Sequence, residues 1–201
     1  GVVVIPAFAV GRAQALMLHI ARLRQRGEIP RVPVYLNSPM AINATDLYHR
    51  HHGEHHVTDA ECRDMYELAS MVRTVEESKA LNMQRGPMII ISASGMLTGG
   101  RVLHHLVAFG QDSRNAILLA GYQAGGTRGA ALVRGEKSLR IFGQEVPINA
   151  EVIAMESFSG HADSEELLAW LRPAPVTPKM TYITHGEPDA ADALRGRIER
   201  E

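Results

Sequence analysis

Cysteine is nearly missing from this sequence: Cys62 stands alone among 201 residues. No internal disulfide can staple the chain, and a reducing cytoplasm is the expected compartment. Long apolar runs are missing too. Nothing approaches the ~20 consecutive apolar residues of a membrane span, and Gly1 leads straight into Val2-Val3-Val4-Ile5 without the basic flank or cleavage site of a signal peptide. Aromatic residues are only 5%, which excludes an aromatic-rich stacking platform. Net charge is −1, so there is no global pull toward nucleic acid. No Gly-Lys-Ser/Thr closes a Walker loop, no Gly-x-Ser-x-Gly forms a nucleophile elbow, and no cysteine cluster has zinc-finger spacing.

What is present reads as a globular domain or slightly more, at roughly 150 residues per domain. Hydrophobic residues make up 45% and charged residues 21%. Charge is uneven: residues 1–50 carry six arginines against Glu28 and Asp46, whereas residues 151–201 carry five basic and ten acidic residues. Two solvated faces account for this; a basic groove on the N-terminal part is the alternative.

Apolar periodicity alternates between strand and helix. Val2–Ile5, Val32–Leu36, Met88–Ile91 and Ala116–Ala120 read as buried strands. Helices are predicted over Val10–Gly27, from Ser38-Pro39 onward, over Glu61–Ser70 and Val75–Met83, and over Arg101–Phe109. Ser38 is a natural N-cap, and Pro39 suits the first helical turn. Strand, helix, strand at this spacing predicts an α/β fold with a parallel sheet flanked by helices. After Gly121 the pattern changes. Leu139–Phe142, Glu145–Ile148 and Glu151–Met155 read as short antiparallel strands, followed by helix Ser164–Leu171, strand Met180–Ile183 and a final helix from Ala190 to Glu201. A boundary is expected near residues 123–136. The opening on a buried strand and the last helix's lack of a Gly or Asn cap predict a fragment of a longer protein.

Three strand ends carry candidate chemistry. Ser92-Ala93-Ser94-Gly95-Met96-Leu97-Thr98-Gly99-Gly100-Arg101 lies between a strand and a helix. Glycines admit close backbone approach and a helix N-terminus offers N–H groups to phosphate; a tight structural turn explains it equally well. Ser157-Phe158-Ser159-Gly160-His161-Ala162-Asp163-Ser164 and Thr184-His185-Gly186-Glu187-Pro188 each put a histidine at a strand end before a helix, a position suited to metal ligation or proton donation. A cap or a satisfied polar group is the competing explanation. The histidines at 49, 51, 52, 55 and 56 read as a solvated loop with incidental metal affinity, since neighbours such as His51 and His52 point apart. Cys62, in an acidic helix-like run, is expected to be inert.

At these segments the chain resembles a metallo-β-lactamase-fold nuclease of the β-CASP family, essentially end to end. The resemblance rests on Ile5–Gln14, Ser38-Pro39-Met40-Ala41, Ala44–Tyr48, Ser94-Gly95-Met96 with Gly99-Gly100-Arg101 and His104-His105-Leu106, Gly121–Ala124 with Gly126–Gly129, Ser159–Asp163, and His185-Gly186-Glu187. It implies most of a β-CASP domain over residues 1–123 and, over 124–201, the return segment of the metallo-β-lactamase αββα sandwich. It further implies a zinc-dependent ribonuclease in RNA processing or decay, with two zinc ions and RNA in the cleft between domains. His185 would be a zinc ligand. His161 would contact the scissile phosphate and protonate the leaving 3′ oxygen. Asp163 and Glu187 would orient these histidines, and Ser94, Gly95, Gly99, Gly100 and Arg101 would shape an RNA-binding, phosphate-contacting loop. A histidine at 185 favours RNA over DNA.

The family's His-x-His-x-Asp-His motif and its later ligands have no counterpart in this sequence. The 201-residue chain alone is therefore expected to bind no catalytic zinc and to cleave nothing; near-stoichiometric zinc held through His185 would overturn that. A non-catalytic RNA-binding scaffold and a DNA nuclease are the rival readings. Apolar surface on residues 138–201 predicts self-association, with a homodimer as one form.

Overall fold

The structure is a computed structural model that describes residues 1–155, 158 and 160–200; Glu156, Ser157, Ser159 and Glu201 lie outside the described residues. It divides into two compact units, residues 1–158 and 159–201.

The first unit is built on six parallel strands: β1 (Val2–Pro6), β2 (Val34–Leu36), β3 (Ala69–Met71), β4 (Met88–Ser92), β5 (Ala116–Ala120) and β8 (Glu151–Met155), in the order β3-β2-β4-β1-β5-β8. The continuous apolar runs in the sequence fit a sheet covered on both sides. Val2, Val4, Met88, Ile90, Ile117 and Leu119 enter one core, with α4 (Val75–Asn82), α5 (Val102–Phe109), α6 (Arg128–Val133) and the hairpin β6–β7 (Ser138–Ile141, Gln144–Pro147). Ile5, Ile91 and Ala120, with Val3, Ile89 and Leu118 packed alongside, face the opposite core beneath α1 (Arg12–Gln25), α2 (Pro39–Arg50) and α3 (Asp59–Leu68). This is the period-2 alternation of a strand, with both faces buried.

The predicted strands and helices of this unit are present, with local differences. Ala69 and Ser70, read as the end of a helix, leave α3 and with Met71 form β3, which pairs with β2 over three residues. The hairpin is antiparallel as expected, and Phe142 (φ 50°) and Gly143 (φ 79°) supply the two positive φ values of a type I′ turn. β8 is not antiparallel to the hairpin. It runs parallel to β5 in register from Ala116↔Glu151 to Ala120↔Met155. The hairpin carries the chain back across one face of the sheet to the starting end of β5. There Gly110 O accepts Asn149 N and Ala150 N, and Asn115 O accepts Glu151 N. A crossover that returns to the same end yields a parallel neighbour.

The second unit holds α7 (Ser164–Leu171) and α8 (Pro188–Ile198). The strand expected at Met180–Ile183 is absent from these described residues. A strand needs a hydrogen-bonded neighbour, none is present there, and Met180 and Tyr182 are 67% and 80% exposed. No helix among the described residues is long and apolar enough to cross a membrane.

Candidate functional site

β1 sits between β4 and β5 in the sheet, yet it leads to a helix on one face whereas they lead to helices on the other. Such a reversal opens crevices at the carboxyl ends of the strands, where open α/β sheets bind ligands. The loops that meet there are residues 7–11, 93–101 and 121–127. Gly95 is their junction. A Cβ on Gly95 would lie 3.0 Å from Phe8 N and from the Phe8 ring, and Gly95 O accepts Gln123 Nε2 at 3.1 Å. Phe8 remains 47% exposed at this edge. Gly129 N donates to Met96 O at 3.2 Å and Arg128 Nη1 to Leu97 O at 3.0 Å, so the loops after β4 and β5 are laced together.

The 94–101 segment is closed on itself. Ser94 Oγ accepts Thr98 N at 3.1 Å and Gly99 N at 3.2 Å, and it lies 3.1 Å from Thr98 Oγ1. Ser94 N donates to Gly99 O, Val102 N to Ala93 O and Leu103 N to Gly100 O. Several N–H groups that the sequence offers to a phosphate are thus already paired within the loop. Gly100 has φ 81°, and a Cβ there would stand 2.4 Å from Ala93 O. Leu97 (φ 58°) is fully buried beneath the turn.

Arg101 turns inward to protein acceptors. Its Nη1 donates to Asn37 Oδ1 at 2.8 Å and Val72 O at 3.1 Å, and its Nη2 donates to Arg73 O at 3.0 Å. Asn37, directly after β2, is fully buried. Its Nδ2 lies 2.8 Å from both Ser78 Oγ and His105 Nε2. His105 Nδ1 is 2.6 Å from Asn82 Oδ1. Burial, reinforced by the charges of His104 and Arg101, pushes the His105 imidazole down to about 4. Asn37 and His105 carry no functional reading in the sequence; an asparagine immediately after a buried strand was the available signal.

The second unit brings two of the predicted residues together. The rings of His161 and His185 lie with centroids 5.7 Å apart, tilted by 58°. Each precedes a helix. Asp163 is the N-cap of α7 in a capping box, with Oδ1 accepting Glu166 N at 2.9 Å and Asp163 N donating to Glu166 Oε2 at 2.8 Å. Glu187 is the N-cap of α8 without a side-chain cap bond, and Pro188 occupies the first turn. His185 holds φ 65°, an uncommon conformation for a residue with a side chain. Ser159 of the same motif lies outside the described residues. Phe158 belongs to the first unit, where the Arg12 guanidinium stands 5.6 Å from its ring centroid and His19 meets it edge-on.

The histidine-rich loop disperses its side chains. His49 stacks on Tyr66 and His55 on Tyr48, while His51 pairs with Glu54. Cys62 is buried, and that burial with the charge of Asp59 holds its thiol above the ordinary value. Among the described residues no group of three or more His, Cys, Asp or Glu side chains is arranged to hold a metal ion.

Residues 13–132 match the Beta-Casp domain, and residues 145–201 match the Zn-dependent metallo-hydrolase RNA specificity domain. The chain belongs to the Beta-Casp domain family. This β-CASP chain is 40% identical over 200 residues to Ribonuclease TTHA0252 of Thermus thermophilus, covering 96% of the chain and 45% of that protein. It is 31% identical over 214 residues to Transcription termination factor FttA of Methanosarcina mazei, covering 100% of the chain and 33% of that protein. An RNase J-like protein of Methanocaldococcus jannaschii is 34% identical over 191 residues, covering 93% of the chain and 43% of that protein. The chain thus spans a third to somewhat under half of the curated relatives it matches.

Proposed function

We propose that this chain is the RNA-handling part of a metal-dependent ribonuclease, a hydrolase of RNA phosphodiester bonds. The observation that carries the reading is the His161–His185 pair, 24 positions apart in sequence and 5.7 Å apart at the ring centroids. His161 contacts the scissile phosphate and hands a proton to the leaving 3′ oxygen. Asp163 and Glu187, at the starts of α7 and α8, hold the segments that present the two imidazoles. Residues Ser94, Gly95, Gly99, Gly100 and Arg101 form a wall of the RNA path at the sheet's carboxyl edge.

Zinc, named in the description of the matching family, requires about four donors in a closed site and three in a catalytic one. The described residues bring together two imidazoles and no third ligand. They do not by themselves fit a zinc site, and the chemistry assigned to His161, Asp163 and Glu187 belongs to those side chains alone. His185 is assigned as one ligand of a site completed by groups outside the described residues, and the 201-residue chain on its own is read as inactive.

The test is His185→Ala in the full-length protein. Cleavage of RNA should be abolished while RNA binding stays within a few-fold of the parent. Unchanged cleavage would reject the ligand assignment. RNA binding without any cleavage in the parent would favour the second reading, an RNA-binding subunit that does no chemistry. The similarity to transcription termination factors keeps that reading in play, and the retained pair of histidines weighs against it.

A further inference from the structure

We infer that Arg101 is a positioning residue, which holds the 94–100 loop to the ends of β2 and β3 instead of reaching an RNA phosphate. The inference rests on the reading that this loop lines the RNA path, and the partners of the guanidinium carry it.

Arginine has five N–H donors in a rigid planar fork and no acceptor. In this chain both Nη1 hydrogens have partners, Asn37 Oδ1 and Val72 O, and Nη2 reaches Arg73 O. Those acceptors lie just after β2 and just after β3, while Arg101 itself ends the loop after β4. One side chain therefore ties three strand ends together. The acceptors are firmly held. Asn37 N donates to Ile91 O and Asn37 O accepts Ser92 Oγ, both at 2.8 Å. Val72 N donates to Leu36 O at 3.0 Å, and the Arg73 side chain pairs with Asp46 at 3.2 Å. Asp46 also accepts the Tyr66 hydroxyl at 2.9 Å.

The polarity of the network leaves no slack. Because Arg101 can only donate, Asn37 must present its oxygen to Arg101 and its nitrogen to Ser78 and His105. His105 Nε2 must then accept, so the ring proton sits on Nδ1 and is donated to Asn82 Oδ1. A phosphate that drew the guanidinium outward would strand the oxygens of the buried residues Asn37 and Val72 together. With Leu97 buried at one end and Arg101 clamped at the other, Ser94 closes the turn between them, and the loop presents one shape.

Full-length protein carrying Arg101→Lys or Asn37→Ala distinguishes the roles. Lysine keeps the charge but its single ammonium cannot span three loops. Binding of a short single-stranded RNA is measured by anisotropy across a salt series, with cleavage kinetics and amide hydrogen exchange alongside. Both variants should raise KM roughly tenfold with kcat within about threefold, and the double variant should be little worse than either single one, as for residues in one network. In Arg101→Gln, which removes the charge, the salt slope of binding should match that of the parent, and in every variant amides of residues 94–100 should exchange faster while those of β1 and β4 stay protected. A slope smaller by about 0.7, the value for one lost phosphate contact on a single strand, would make Arg101 an RNA contact and overturn the inference. So would wild-type KM and exchange in Arg101→Lys. If the parent itself bound no RNA, the functional reading would fall, and the exchange comparison alone would still decide for or against the clamp.

Discussion

Arg101 fixes the tautomer of His105 without a hydrogen bond between them. Asn37 stands between the two, its oxygen 2.8 Å from the guanidinium and its nitrogen 2.8 Å from the imidazole. A second proton on His105 would place an N–H against the Asn37 amide N–H₂, and turning the amide would place that N–H₂ against Arg101.

This gives a pH dependence of defined sign. His105 is fully buried and its folded-state value is lowered from 6.5 to about 4. Between those values the unfolded chain binds the extra proton and the folded chain does not, so stability falls as pH falls. The loss through this one group should reach about 2 kcal/mol by pH 5 and about 3 kcal/mol below pH 4. Urea unfolding of the parent and of His105→Gln at several pH values isolates it: the difference between the two should shrink with acidification by that amount. A constant difference would mean that His105 titrates as an ordinary imidazole.

Gly100→Ala should cost more than its small size suggests. The left-handed backbone alone costs roughly 1–2 kcal/mol for a residue with a Cβ, and the new carbon would stand 2.4 Å from Ala93 O, a backbone atom that cannot swing away. A loss of about 3 kcal/mol or more is expected from the two costs together. Gly27→Ala is the control, since Gly27 closes the end of α1 with φ 69° and nothing within 4 Å, so only the first cost applies. Equal thermal shifts in the two variants would show that the loop yields.

Asp163 caps α7, and under the proposed function it also orients the His161 segment; substitution separates the two roles. As the N-cap of α7 it is replaceable by Asn or Ser at little cost, whereas Ala should lose ~1 kcal/mol. Asp163→Asn in the full-length protein should fold normally and cleave RNA at least tenfold more slowly, because a carboxylate beside the His161 segment is gone. Cleavage within twofold of the parent would leave Asp163 a helix cap only.

The sheet was legible in the sequence because runs such as Val2–Ile5 and Met88–Ile91 are too uniformly apolar for anything but a strand covered on both faces. Ser38 and Pro39 marked the start of α2 by their own chemistry. β3 was hidden because three residues give no period, and its existence depends on β2 being alongside. The direction of β8 was hidden for a related reason. Strand sense depends on where the preceding crossover returns the chain, and the Gly110 and Asn115 carbonyls that receive it are distant in sequence. The histidines at 161 and 185 were visible from their place before helices. Arg101 drew attention through its glycine-rich neighbours, but its direction is decided by Asn37, Val72 and Arg73, which no spacing connects to it.

The parallel placement of β8 bears on how this protein can be divided. The stretch matching the Beta-Casp domain ends at residue 132, yet the hairpin that seals one core and the strand that borders β5 come after it. Trimming a gene at that sequence-defined border would strip Leu139, Ile141, Val146 and Ile148 from the interior and bare the backbone edge of β5 to intermolecular pairing. Evolutionary module and folding unit part company at this point, and a scissor placed after Phe158 respects the second.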